Sequence, residues 1–333
     1  MSSLSTTSDE SFFVTGGQGF IGAWIVRQLL SEGSRCVLFD LKHDDRILEQ
    51  VLEPDQLDGL ERVYGDVADT KTLLGAVEKS EPTRLIHLAG LQIPTCRSSP
   101  ILGAQVNVVG TMNVFEAARL GKGQVRSVTY ASSAAVAGGV EDYTGPVPDD
   151  AHHVPRTHYG VFKAANEGNA RVYWLDHGIP SVGLRPVAVY GVGREVGVTS
   201  GPTKAIKAAL LGREYTIQFS GTTAFHYVED VARSFVACGR APLEGAYALN
   251  MRGDNLSVED FIGVLEKEFP EGSGGIKFAG PRIPVAFDFL ETGLEKLLGK
   301  VTRTPVAEGV RRTAELFRRL QARGKLHDRD LAG

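Results

Sequence analysis

The chain has 333 residues, 42% of them hydrophobic and 23% charged, with a formal net charge of −4. This is ordinary globular composition, enough for a large α/β domain and a smaller lobe, and its overall charge attracts neither nucleic acid nor an anionic membrane. No apolar run is long enough to cross a bilayer, and three scattered cysteines, Cys36, Cys96 and Cys238, argue against a disulfide framework and for a reducing, cytoplasmic setting.

Residues 1–10 are rich in Ser and Thr and lack the basic head and apolar core of a secretory signal. They read as a short disordered lead-in. Short β-rich runs then alternate with helical stretches. Strands are expected at 11–15, 36–40, 62–65, 84–89, 128–132 and 181–185, with a first helix over 20–31. Such alternation predicts an α/β fold, a doubly wound parallel sheet with helices on both faces. Continuous apolar runs such as Val37-Leu38-Phe39 suit strands buried on both sides. After Arg185 the rhythm breaks. Helices are expected at 203–211, 229–239 and 258–269, strands at 215–218 and 246–250, and a last helix opening at Thr304-Pro305. Its arginines, from Arg311 to Arg323, read as a solvated face.

The first strand runs into Thr15-Gly16-Gly17-Gln18-Gly19-Phe20-Ile21-Gly22. Glycine lets backbone N–H groups approach a pyrophosphate closely, and a helix beginning at Phe20 aims its positive end at that charge. In a strand–turn–helix setting this is the dinucleotide-binding fingerprint. Asp40 ends the next strand, where a carboxylate accepts ribose hydroxyls and repels a 2′-phosphate, which favours NAD as the cofactor. Lys42 weakens that preference without reversing it. Asp66, followed by Val67, suits either an adenine contact or a turn. Leu88, Ala89 and Gly90 let the fourth strand pass beside the cofactor, while His87 reads as packed, and no metal set is expected. The resulting division is a Rossmann domain over 11–186 that 223–250 rejoins, with 187–222 and 251–325 as a substrate lobe.

Tyr159 and Lys163 lie one helical turn apart on one face. A free phenol titrates near ~10, too high for a base at neutral pH, and a neighbouring ammonium lowers it. Tyr130-Ala131-Ser132-Ser133 ends the fifth strand, where a hydroxyl can hold the substrate oxygen. Ser133 is assigned that role, with Ser132 as its competitor.

Together these residues resemble the extended short-chain dehydrogenase/reductases, the sugar epimerase and dehydratase branch. The resemblance runs from about Phe12 to Gly253 and rests on the glycine loop, Gly65-Asp66-Val67, His87-Leu88-Ala89-Gly90, Asn107-Val108-Val109-Gly110-Thr111, Ser132-Ser133, Tyr159 with Lys163, and Leu184-Arg185-Pro186. It implies that Asn107 and Pro186 lie beside the cofactor, that Ser133, Tyr159 and Lys163 are catalytic, and that the chain forms a homodimer through the helices holding Asn107 and Tyr159. Two departures narrow the reaction. Dehydratases of the branch carry Asp-Glu after the strand-end hydroxyl, and here Ala134 and Ala135 stand there, so dehydration is not expected. Sugar-nucleotide members place an arginine shortly before the Val-x-Asp helix start, and here Thr223 takes its place. The expectation is an NAD-dependent dehydrogenase acting on a small polyol, sugar acid or hydroxy acid, with Gln92, Thr95, Arg97, Arg194 and Thr199-Ser200 as substrate contacts. An NAD-dependent epimerase would use the same residues. A cofactor sensor with a dead site is the remote third reading.

Overall fold

The computed structural model describes residues 10–121 and 123–331; the expected lead-in lies, Glu10 apart, outside the described residues. The strands are β1 (Ser11–Thr15), β2 (Arg35–Asp40), β3 (Glu61–Tyr64), β4 (Arg84–His87), β5 (Ser127–Ala131), β6 (Ser181–Arg185), β7 (Ala188–Tyr190), β8 (Tyr215–Ile217), β9 (Thr222–Tyr227), β10 (Ala246–Asn250), β11 (Asp254–Ser257) and β12 (Ile276–Phe278). Seven of them make one sheet in the order β10-β6-β5-β4-β1-β2-β3, with every neighbouring pair parallel.

Parallel strands buried on both faces need apolar residues in both phases of the pleat. The sheet shows this directly. Phe12, Val14, Cys36 and Leu38 pack into the core on one face, while Phe13, Val37 and Phe39 pack into the other. The first core is closed by the helices Phe20–Ser31 and Val228–Arg240, and the second by Thr70–Ser80, Gly110–Leu120 and His158–His177. Phe13 and Phe39 stack obliquely with centroids 5.6 Å apart, which ties β1 to β2.

The chain leaves β1 toward β2 and β3, then returns to place β4 on the other side of β1. The loops after β1 and β4 therefore diverge and open a crevice at the carboxyl edge, the place where doubly wound sheets bind ligands. Over that edge sits a three-stranded sheet in the order β11-β9-β7. Its β9 begins where the chain was expected to rejoin the main layer. That return comes later, with the helix Val228–Arg240 and with β10, which pairs with β6. All three cysteines are buried and free.

Candidate active site

The site starts at the end of β1. Gly16 has φ +71, and a Cβ there would lie 2.6 Å from the Ala89 nitrogen. A Cβ on Gly22 would lie 2.2 Å from the Gly16 carbonyl oxygen. Only glycine permits this closeness of loop, helix and β4. The helix Phe20–Ser31 has Gly19 as its N-cap, no side chain capping it and no acid in its first turn. Its leading N–H groups thus face the crevice without a protein acceptor to neutralise them, as an anion site requires.

Beyond the loop, Asp40 accepts hydrogen bonds from the backbone N–H of Gln18 at 3.1 Å and of Leu41 at 2.8 Å. Burial pushes its carboxyl up, against these bonds and the Gln18 side chain. Gln18, which was not anticipated, also accepts from the Asp44 N–H and donates to the Lys42 carbonyl, fixing the loop after β2. Asp40, Asp66, Val67, Leu88, Ala89 and Gly90 line one continuous hollow with Gly16 and Gly19. Asp66 is exposed and its Oδ1 accepts from the Ala68 N–H at 2.8 Å, the turn contact weighed above.

Gly16, Gly19, Leu88, Gly90 and Leu91 also border a second cavity, of about 270 Å³. Phe20, Ile21, Gly22, Gln92, Ser133, Tyr159, Lys163, Pro186, Arg194 and Thr199 line it. Thr95 and Arg97 are absent from this wall, and Arg97 is exposed. Asn107 stands behind the wall. It is buried, donates to the carbonyls of Leu91 and Gly103, and its Oδ1 has no partner among the described residues. A Cβ on Gly90 would lie 2.7 Å from that oxygen, so the bare backbone of Gly90 lets Asn107 come close behind the crevice wall.

Tyr159 and Lys163 come from the helix His158–His177, whose N-cap Thr157 accepts from the Gly160 N–H at 3.1 Å. A Cβ on Gly160 would sit 2.1 Å from the Ala135 carbonyl oxygen. The glycine beside Tyr159 thereby lets the helix press against the turn after β5, which carries Ser133. Lys163 is buried and its Nζ donates to the Ala131 carbonyl at 2.6 Å. Burial lowers its ammonium to about 8, against the raising effects of Cys96 and Glu167. The Nζ lies 5.5 Å from the Tyr159 ring centroid. Burial raises the Tyr159 phenol; the Ser133 hydroxyl and the Arg194 guanidinium oppose that rise, and Cys96 adds to it. Two cations thus stand near the phenol: Lys163, whose ammonium is bonded to the end of β5, and Arg194, which the sequence reading did not connect with it.

Glu167 is the second residue that the sequence reading missed, although it continues the four-residue spacing of Tyr159 and Lys163. It accepts from Arg185 Nε at 2.8 Å and Nη2 at 2.7 Å, and from the Ser132 hydroxyl. Ser132 is consumed by that bond. Ser133 caps the following turn by accepting from the Ala135 N–H at 3.2 Å and remains on the cavity wall. Ser132 borders the cavity as well, and the rest of the wall is largely apolar, with Ile93, Val187, Val189, Val198, Ile283 and Val285. No group of His, Cys, Asp and Glu among the described residues could hold a metal ion, and no helix among them is long and apolar enough to cross a membrane.

A switch-point crevice with a glycine cradle, and a Tyr–Lys pair across its mouth, defines the extended short-chain dehydrogenase/reductase class. The model of the NAD dependent epimerase/dehydratase family matches residues 12–249, and the chain belongs to that family. A UDP-glucose 4-epimerase of Mycolicibacterium smegmatis is 31% identical over 319 residues, spanning 92% of this chain and 97% of that protein. Among solved structures, the UDP-glucose 4-epimerase of Thermus thermophilus in complex with NAD has a TM-score of 0.74 at 23% identity, covering 92% of this chain and 99% of that one. The L-threonine dehydrogenase of Clostridium difficile has a TM-score of 0.79 at 20% identity, covering 95% and 99%. NAD is the cofactor, and the uncapped helix, the glycine cradle and the acid at the end of β2 fit it.

Proposed function

We propose that the chain is a dehydrogenase that oxidises a secondary alcohol of a small, sugar-derived substrate: a polyol, sugar acid or hydroxy acid. The cavity beyond the glycine loop carries the reading. At about 270 Å³ it lies at the small end of ligand sites, and much of that space is needed for the cofactor's reactive end. A second nucleotide has little room there. The missing cation supports the same reading, since Thr223 is buried in β9 and offers no charge to a diphosphate.

The glycine loop and Asp40 would hold NAD, whose chemistry there would be to accept the alcohol carbon's hydride, with both electrons of the C–H bond. Tyr159 accepts the hydroxyl proton on its phenolate oxygen, so that the C–O bond becomes a carbonyl, and the proton passes on to solvent. Ser133 donates a hydrogen bond to the same substrate oxygen and holds it against the phenol. Lys163, anchored on the Ala131 carbonyl, keeps a positive charge beside the phenolate and would offer its remaining protons to the cofactor ribose. Ala134 and Ala135 on the wall provide no acid to expel water from the product.

The lobe that closes this cavity comprises 187–222 and 251–325, with Ile283 and Val285 contributing from it. Exposed Ile101, Leu102, Val109 and Met112 on one helix, and Val161, Val172 and Leu175 on another, support a homodimer through those two helices. Epimerisation is the competing reading, favoured by the name of the Mycolicibacterium relative.

Incubating the protein with NAD and a panel of polyols, sugar acids and hydroxy acids, and following NADH, tests the proposal. Net NADH that falls about 10³-fold in Tyr159→Phe is the expected result. Isomerised product without net NADH would favour the epimerase, and turnover unaffected by Tyr159→Phe would remove the phenol from the chemistry.

A further inference from the structure

Among the described residues, Lys163 and Arg194 are the only charged side chains on the wall of the Tyr159 cavity, and no carboxylate joins them there. Lys163 is anchored on the Ala131 carbonyl and serves the cofactor side of the cavity in the reading above. Arg194 Nη2 donates to the Thr199 hydroxyl at 3.0 Å, and its Nε is buried with no partner among the described residues. Its sequence neighbour Glu195 turns elsewhere, accepting from Gln50 at 2.8 Å and approaching His327 at 3.7 Å. A half-buried guanidinium whose Nε is enclosed and unpaired is costly unless an anion meets it.

The loop is shaped to hold that guanidinium in place. Gly197 has φ +102, and a Cβ there would lie 2.1 Å from Gln92 Oε1 and 3.1 Å from Arg194 Nη2. Any larger residue would push apart two polar groups that reach the cavity from opposite loops, one after β4 and the other after β7. Arg194 also acts electrostatically on the Tyr159 phenol, so its charge is felt where the alcohol would react.

Resting on the dehydrogenase reading, we infer that the substrate is a small hydroxy carboxylate whose carboxylate is held by Arg194, with Thr199 orienting the guanidinium and Gln92 flanking it. The planar fork matches a carboxylate bidentately, which a neutral polyol cannot exploit. The apolar wall of Ile283, Val285 and Val198 then limits the length of the carbon chain behind it.

The Arg194 carbon Cζ also lies 5.7 Å from the Phe20 ring, at the start of the glycine-loop helix, so the cofactor's diphosphate is the rival anion and the test must separate the two. Aldonates and 2-hydroxy acids, each paired with the alcohol in which the carboxylate is reduced, are titrated into the NAD-loaded protein by calorimetry and assayed for NADH. The expected result is that wild type binds and oxidises the acids in preference to the alcohols. In Arg194→Gln that preference falls about 100-fold, chiefly through KM, and Arg194→Lys recovers part of it. Arg194-dependent binding of acids without NADH would uphold the carboxylate site and sink the dehydrogenase reading. Equal use of acids and alcohols by wild type, a measurement that needs no variant, would overturn the carboxylate site and leave the dehydrogenase standing. So would an acid preference that survives Arg194→Gln while NAD affinity drops. Failure of every acid to bind overturns the inference outright.

Discussion

The hydroxyl of Ser132 is bound to Glu167, and both residues are buried. Both serines border the cavity, but this bond occupies the Ser132 hydroxyl and leaves that of Ser133 available there. Ser133→Ala is expected to lower kcat about 100-fold, the scale of losing one donor to a developing charge. Ser132→Ala instead destabilises the fold by about 1–3 kcal/mol, as Glu167 loses a donor in a dry setting. Measuring kcat and denaturant midpoint for both variants checks the split; a larger kcat loss in Ser132→Ala would reverse the assignment.

Glu167 and Arg185 are joined by two hydrogen bonds, at 2.8 and 2.7 Å, with both side chains almost wholly buried. Removing one charge leaves the other without its partner, at a cost of about 3–5 kcal/mol. Glu167→Gln, which keeps the shape, should therefore shift the urea midpoint strongly downward. A shift no larger than that of a surface substitution would show that the pair contributes little to folding.

Lys163 supplies a pH signature. Burial holds it at about 8 in the folded chain, against an ordinary value of 10.5. Between those values the unfolded chain keeps a proton that the folded chain has lost, so stability rises with pH across that window. Below about 8 both states are protonated and the burial penalty is present in full. Lys163→Met should remove this slope, seen as thermal midpoints that no longer climb from pH 8 toward 10. The ammonium itself is lost above about 8, so kcat/KM for NAD, which reports the free protein, should decline on the alkaline side in wild type. In Lys163→Arg, whose charge persists, that decline should be absent.

Asp40 is held by the Gln18 and Leu41 N–H groups in the position to accept ribose hydroxyls. Asp40→Ser should narrow the preference for NAD over NADP about 10- to 100-fold, the scale of a hydrogen bond to a charged group together with relief of its repulsion. The ratio of kcat/KM for the two cofactors measures it, and an unchanged ratio would assign discrimination to Lys42 or Arg46, which border the same hollow.

The main sheet was legible because its strands are short apolar runs punctuated by glycine, and β1, β6 and the helix Phe20–Ser31 fall where the pattern puts them. The pairing of Tyr159 with Lys163 was equally plain, since helical spacing alone creates it. The lobe was less legible. Its β11, Asp254–Ser257, is made of poor strand formers and exists through pairing with β9. Ile283 and Val285 reach the cavity from a stretch without regular structure, placed by an isolated bridge between Ser220 and Arg282 and by the Ala286 N–H on the Gly138 carbonyl. The bond that occupies the Ser132 hydroxyl, and the second cation near the phenol, come from Glu167 and Arg194, side chains supplied by distant elements. Local sequence contains no trace of such encounters.

Asn107 sits in a widened π turn, Gln105–Val109, between the helical segments Pro100–Ala104 and Gly110–Leu120. The wide turn takes up one extra residue locally and opens the backbone ladder there. The Asn107 carbonyl is left accepting from both Asn166 and Thr111, at 2.8 and 2.7 Å. Deleting one residue there would restore ordinary winding and leave the later side chains on the faces they now occupy, because the wide turn takes up the extra residue locally. The change would fall instead on the Asn107 carbonyl, whose bridge to Asn166 on the helix His158–His177 a regular helix would put at risk.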